Sequence, residues 1–206
     1  MIKLKVWMLF GILVAIAVGG SSNGYAADSS QRYAVRGAGA QSCERFVSFF
    51  QQKPEQRRDA ILMYDAWFAG YVTHVNRSSE GTYDVSPIVN STDSLNLLLQ
   101  QCSKNPKILV ESVVAGILVA LADARVSEES QLVEVGVGGE KRLYRKETIV
   151  KIQQRLIDLG FLAGRADGFF GSKSVKALAK FQKEKKINET GFPDSGTVLN
   201  LLLGKD

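Results

Sequence analysis

The stretch Val150-Lys151-Ile152-Gln153-Gln154-Arg155-Leu156-Ile157-Asp158-Leu159-Gly160-Phe161 leads into Asp167-Gly168-Phe169-Phe170-Gly171 and then Ala177-Leu178-Ala179-Lys180-Phe181-Gln182. Ile149, Ile152, Leu156 and Leu159 recur at helical spacing and predict a helix with one apolar face. Gly160 follows where a left-handed C-terminal cap is expected. Asp167-Gly168 is a turn dipeptide. Ser172 or Ser174 is placed to cap a second helix that buries Val175, Leu178 and Phe181. Thr190-Gly191-Phe192-Pro193-Asp194 makes a further turn, and Asp194 is placed to cap a third helix burying Val198, Leu201 and Leu202. The expectation is three short helices around one apolar centre.

The order Gln-x-x-Leu-x-x-Leu-Gly, Asp-Gly-x-x-Gly, Ala-x-x-x-Phe-Gln resembles the small helical peptidoglycan-binding domain found at the ends of many bacterial cell-wall proteins. The resemblance covers Glu147 to Leu203 and continues through Thr190-Gly191 and Asp194-Ser195-Gly196-Thr197. It implies peptidoglycan as a partner. Leu156, Leu159, Ala177, Leu178 and Phe181 then belong to the core, and Gly160, Gly168 and Gly171 serve backbone angles. Asp167, Gln153 and Gln182 read as groups that close their own loops. Ligand contact falls on the parts expected to be exposed: Phe161, Arg165, Phe169, Ser172 and Lys173, with Asp167 at the turn between them. Aromatic faces stack on sugar rings, and Arg or Lys pairs with stem-peptide carboxylates.

At the other end, Lys3 and Lys5 precede an apolar run from Val6 to Val18, and Gly24-Tyr25-Ala26 stands before an expected cut. This reads as a secretory signal peptide over residues 1–26. The run is shorter than the roughly 20 residues a membrane span needs, so no stable insertion is expected after cleavage. The expected address is bacterial, periplasmic or secreted, and wall-associated.

The middle, residues 38–126, reads as a separate bundle of four helices. Ser42 is placed to cap a helix carrying Cys43, Phe46, Val47 and Phe50. Pro54 opens a longer helix running towards Asn76. Asp93 is placed to cap a third helix through Leu95, Leu98 and Leu99 to Cys102, and a fourth runs from about Ile108 to Arg125. Two cysteines in an exported chain favour one disulfide, Cys43–Cys102. Cys43 with Phe46, Trp67-Phe68-Ala69-Gly70-Tyr71 with Asn76, and Gln101-Cys102 with Asn105-Pro106 look like a loose group of small exported bacterial helical proteins. That group includes periplasmic acid-stress chaperones and disulfide-bonded immunity proteins that neutralise wall hydrolases. Residues 127–146 read as a linker. Val133, Val135 and Val137 alternate as in a strand, but a lone strand finds no partner in a helical chain. The expected fold class is therefore all-α: a disulfide-stapled helical bundle followed by a small three-helix peptidoglycan-binding domain at 147–206.

The chain carries a net charge of +5, and in the mature part the excess lies within residues 147–206. That surface would attract carboxylates in a salt-sensitive way, but the excess is too small to point to nucleic acid. His74 is the only histidine, so a zinc peptidase cluster and a Cys/His pair with a free thiol are not expected. No catalytic residue, metal or cofactor is assigned. The leading expectation is a non-enzymatic wall-binding protein whose middle unit engages another periplasmic protein. The alternatives are an inhibitor or immunity protein against a wall hydrolase, and a peptidoglycan hydrolase or its activator.

Overall fold

The structure is a computed structural model and describes residues 28–30 and 32–204. The signal-peptide reading of residues 1–26 lies outside the described residues. The chain divides into two compact units, Met1–Ala34 and Val35–Asp206. In the first, the Asp28 carboxylate accepts hydrogen bonds from the backbone N–H of Ser30 and Arg32. The second contains two apolar cores.

The first core is built by α1 (Cys43–Phe50), α2 (Pro54–Ser78), α3 (Ser91–Lys104) and α4 (Val110–Ala120). Ser42 caps α1 by accepting from the Arg45 N–H, and Pro54 opens α2, both as the sequence predicts. Phe46 meets Tyr64 edge-on with ring centres 4.6 Å apart, and Leu98, Val110 and Val114 close around them. The Cys43–Cys102 disulfide lies in this core and joins α1 to α3. The cap of α3 is Asn90, whose side chain accepts from the Asp93 N–H; Asp93 is not the cap. Asp93 is thereby free to point away from its helix, where it pairs with Arg142 at 2.9 Å. The fourth helix is shorter than expected and ends in a 3-10 turn, Ala122–Ala124.

The all-α expectation is corrected by a hairpin lying within 127–146. Strand β1 (Leu132–Val137) pairs antiparallel with β2 (Glu140–Arg145), in the register Val133 to Tyr144 and Val135 to Arg142. Gly138 and Gly139 turn the chain with φ of 60° and 89°, conformations that glycine adopts without a Cβ clash. The hairpin is stable because it is not isolated. Val135 and Tyr144 are buried in the second core with Ile149, Leu156, Leu178 and Phe181. That core is otherwise built by α5 (Lys146–Asp158), α6 (Ser172–Glu184) and α7 (Ser195–Leu203). Each large side chain buried there contributes roughly 2–3 kcal/mol. No helix among the described residues is long and apolar enough to cross a membrane.

A polar seam joins the two cores. Besides Arg142–Asp93, Arg145 pairs with Asp84 at 3.4 Å and lies over the Tyr83 ring at 5.0 Å. Lys151 donates to the Arg125 carbonyl, and the Ser127 N–H and hydroxyl both donate to Glu147. Burial raises the Asp93 carboxyl above its ordinary value, a shift that Arg142 opposes. The ion pairs of the seam are therefore expected to add little net stability of their own, because desolvation offsets their attraction.

Candidate functional site: an open groove at the Asp167–Gly171 turn

The second core is organised by two buried glutamines that each hold one turn. On α5, Gln153 Oε1 accepts from the Gly168 N–H at 2.8 Å. Its Nε2 reaches the Asp167 carboxylate, the Phe169 carbonyl and the Ser174 hydroxyl at 3.0–3.1 Å. On α6, Gln182 repeats the pattern. Its Oε1 accepts from the Gly191 N–H at 2.7 Å, and its Nε2 reaches Thr190, the Phe192 carbonyl and the Thr197 hydroxyl. Asp167 accepts from the Phe169 N–H as Thr190 accepts from the Phe192 N–H. Asp167-Gly168-Phe169 and Thr190-Gly191-Phe192 are thus two copies of one turn, each followed by a helix whose third residue, Ser174 or Thr197, contacts the same glutamine. Both glycines are required: φ is 76° at Gly168 and 66° at Gly191, and a Cβ at Gly191 would lie 2.9 Å from the Val175 carbonyl. Sequence pattern marks these glutamines as loop-closing groups but does not by itself show the repeat. The paired x-Gly-Phe turns with Ser or Thr five residues beyond each Phe were its available signal.

The caps differ from expectation in one place. Asp194 caps α7, accepting from the Thr197 N–H at 2.9 Å. Neither Ser172 nor Ser174 caps α6: Gly171 occupies that position without a side-chain bond, and Ser174 is drawn inward to Gln153.

The two copies have opposite surroundings. Phe192 is buried, with the Arg142 guanidinium 5.3 Å above its ring, Tyr144 beside it and the Tyr144 hydroxyl bonded to the Pro193 carbonyl at 2.8 Å. The hairpin therefore closes that copy. Phe169 is 76 % exposed. Beside it runs an open groove of about 350 Å³ whose lining includes Arg165, Asp167, Phe169, Ser172 and Lys173. Five of the six residues picked from the sequence thus come together. Phe161 does not join them. Half-buried, it packs edge-on against Phe181 at 5.7 Å, on the side of the second core. The reason is local. The Gly160 cap turns the chain so that the N–H of Phe161 and of Leu162 both bond the Leu156 carbonyl, and an apolar residue after such a cap folds back on the helix.

The groove is polar at its floor, aromatic at one side and cationic at its rim. Asp167 sits below the usual carboxylate range, chiefly because the Phe169 N–H bonds to its charged form, with Gln153 adding a second bond. A carboxylate depressed in the folded state stabilises above its unfolded pKa and loses that stabilisation as pH falls through the folded value. The turn is therefore expected to hold at every pH above the ordinary value of 3.8 and to loosen only below it. An NMR titration of the Phe169 amide checks this: a midpoint at or above 3.8 contradicts the Asp167–Phe169 bond.

Residues 145–199 match the model of the family described as "putative peptidoglycan binding domain". The match begins at the last residue of β2 and ends within α7, so it takes in both glutamine-held turns. No curated protein and no solved structure matches the chain.

Proposed function

We propose that this chain is a non-enzymatic, exported wall-binding protein whose C-terminal region tethers its helical half, residues 38–126, to peptidoglycan, where that half engages a second periplasmic protein. In this organisation the hairpin belongs with 147–206, since it supplies Val135 and Tyr144 to that core, and residues 1–26 direct export. The observation that carries the reading is the open groove beside Phe169 in a segment of peptidoglycan-binding type. An exposed aromatic face suits a sugar ring, and Arg165 and Lys173 suit the carboxylates of a stem peptide. The absence of an assigned reaction rests on the inventory: His74 is exposed on α2, both cysteines are joined, and among the described residues no three His, Cys, Asp or Glu are grouped to hold a metal ion.

Co-sedimentation of the full protein with purified sacculi tests this. The wild type is expected in the pellet. Phe169→Ala is expected to weaken binding by roughly tenfold, the loss of one stacked ring. Arg165→Ala with Lys173→Ala is expected to weaken it and to flatten its salt dependence. Both changes lie at exposed positions, so thermal stability stays near wild type. A wild type that stays in the supernatant overturns the tether, and soluble fragments released from the sacculi overturn the non-enzymatic part.

A further inference from the structure

We infer that the outward face of α2 is the contact surface of a symmetric dimer of this chain, in which two α2 helices pack antiparallel. This helix spans 25 residues, yet only Ala60 and Tyr64 are fully buried. One face, read by helical spacing, carries Glu55, Asp59, Leu62, Ala66, Ala69, Thr73 and Arg77, with Met63 and Gly70 at its edge, and every one of these is exposed. Leu62 is 58 % exposed and Met63 44 %, side by side on a helix that its own fold leaves uncovered.

Gly70 points to a partner at close range. Glycine weakens a helix interior relative to alanine, and what it offers in return is a free backbone angle or space. Gly70 has no positive φ, and a Cβ built on it meets nothing within 4 Å. Its own chain uses neither freedom. Ala66, Ala69 and Gly70 together make a flat stretch on which another helix backbone can lie close. Thr73 adds to it: its hydroxyl donates back to the Ala69 carbonyl at 2.7 Å and so needs no partner from solvent.

Charge selects the occupant. The face is acidic at its start, with Glu55 and Asp59, and basic at its end, with Arg77. A two-fold axis crossing the helix midway between Ala66 and Gly70 sets Asp59 of one copy against Arg77 of the other, twice, and Met63 against Thr73. Neither Asp59 nor Arg77 makes an ion pair with another described residue. A face complementary to itself under a two-fold rotation is what an isologous dimer requires.

Sedimentation velocity of the full protein tests the inference at about 50 μM, above the micromolar Kd that weak interfaces of ordinary size hold. The wild type is expected to be dimeric. Asp59→Arg and Arg77→Asp each place like charges at both ends and are each expected to weaken the dimer at least about tenfold. The two variants mixed together are expected to dimerise again, because each then meets its opposite at both ends. Recovery on mixing also shows that both variants are folded. Gly70→Met is expected to be monomeric while its far-ultraviolet circular dichroism stays that of a folded helical chain. A monomeric wild type at that concentration overturns the inference, and so does a dimer indifferent to all three changes. The readout is mass and does not depend on whether the chain binds peptidoglycan.

Discussion

Replacing Gln182 with Leu is expected to lower stability by about 2–3 kcal/mol, although the two side chains are close in volume and no large cavity forms. Gln182 is fully buried. Its loss leaves the Gly191 N–H buried without a partner, at a cost of about 1–3 kcal/mol, whereas the Phe192 carbonyl loses one bond but keeps the Asp194 N–H at 2.9 Å. The Thr197 hydroxyl suffers less, because it also donates to Asp194 at 2.8 Å. The turn cannot relax cheaply, since the hairpin lies over Phe192 through Arg142 and Tyr144. Gln153→Leu removes the same bonds from the other copy, but its turn is open and Asp167 and Phe169 are exposed, so water replaces part of what is lost. Its cost is expected to be about half as large. Denaturant unfolding of both variants measures the difference. Equal costs, or a Gln182→Leu cost below about 1 kcal/mol, contradict the view that the covered turn is held by its glutamine.

The same contrast shows what the sequence could reveal. The helices α5, α6 and α7 were legible because Ile152, Leu156, Leu178, Phe181, Val198 and Leu201 repeat at helical spacing, and all are buried. The core of the first half was legible for the same reason. The caps of α3 and α6 lie one to three residues before the expected positions because Asn90 and Asp93, or Gly171, Ser172 and Ser174, compete within a few residues. What decided each was a distant partner. Arg142 takes the Asp93 side chain across 49 residues of sequence, and Gln153 takes Ser174 across 21. Local pattern contains neither. The hairpin was half legible. The alternation of Val133, Val135 and Val137 announced β1, and Gly138-Gly139 is a two-residue turn signal. The second strand hid itself, because Glu140-Lys141-Arg142-Leu143-Tyr144-Arg145 is mostly charged and only Tyr144 enters the core.

For the candidate site, the residue types were legible and one placement was not. Arg165, Phe169, Ser172 and Lys173 share the groove because Gln153 folds the Asp167 turn against the start of α6. Phe161 looked equivalent as an aromatic at a loop. Its fate is set by the Gly160 cap, which returns it to Phe181. The second x-Gly-Phe turn is closed by the hairpin as well as by its own helices, and so could not be read from the family-like segment alone.

Reducing the Cys43–Cys102 bond is expected to have the second large effect, a loss of about 4 kcal/mol from cross-linking residues separated by 59 positions. The bond acts on the unfolded chain, by limiting its freedom, and on α1. With eight residues α1 is too short to persist by itself, so it relies on Phe46 in the core and on its covalent link to α3. Free thiols at these buried sites are tolerated as small apolar groups, so a locally native core is expected to survive at low temperature. Cys43→Ala with Cys102→Ala, or reduction, should lower the melting temperature by roughly 8–16 °C. The effect should also travel. Asp84 and Asp93 both lie inside the loop that the disulfide closes, and they are the partners of Arg145 and Arg142. Loosening that loop weakens the hold on β2, and with it the cover over Phe192. Hydrogen exchange at Tyr144 and Phe192 should therefore quicken on reduction, although neither residue lies within the loop. An unchanged melting temperature would count against the entropic account. A lower one with unchanged exchange at Tyr144 would show that the seam does not pass stability from the helical half to the groove-bearing half.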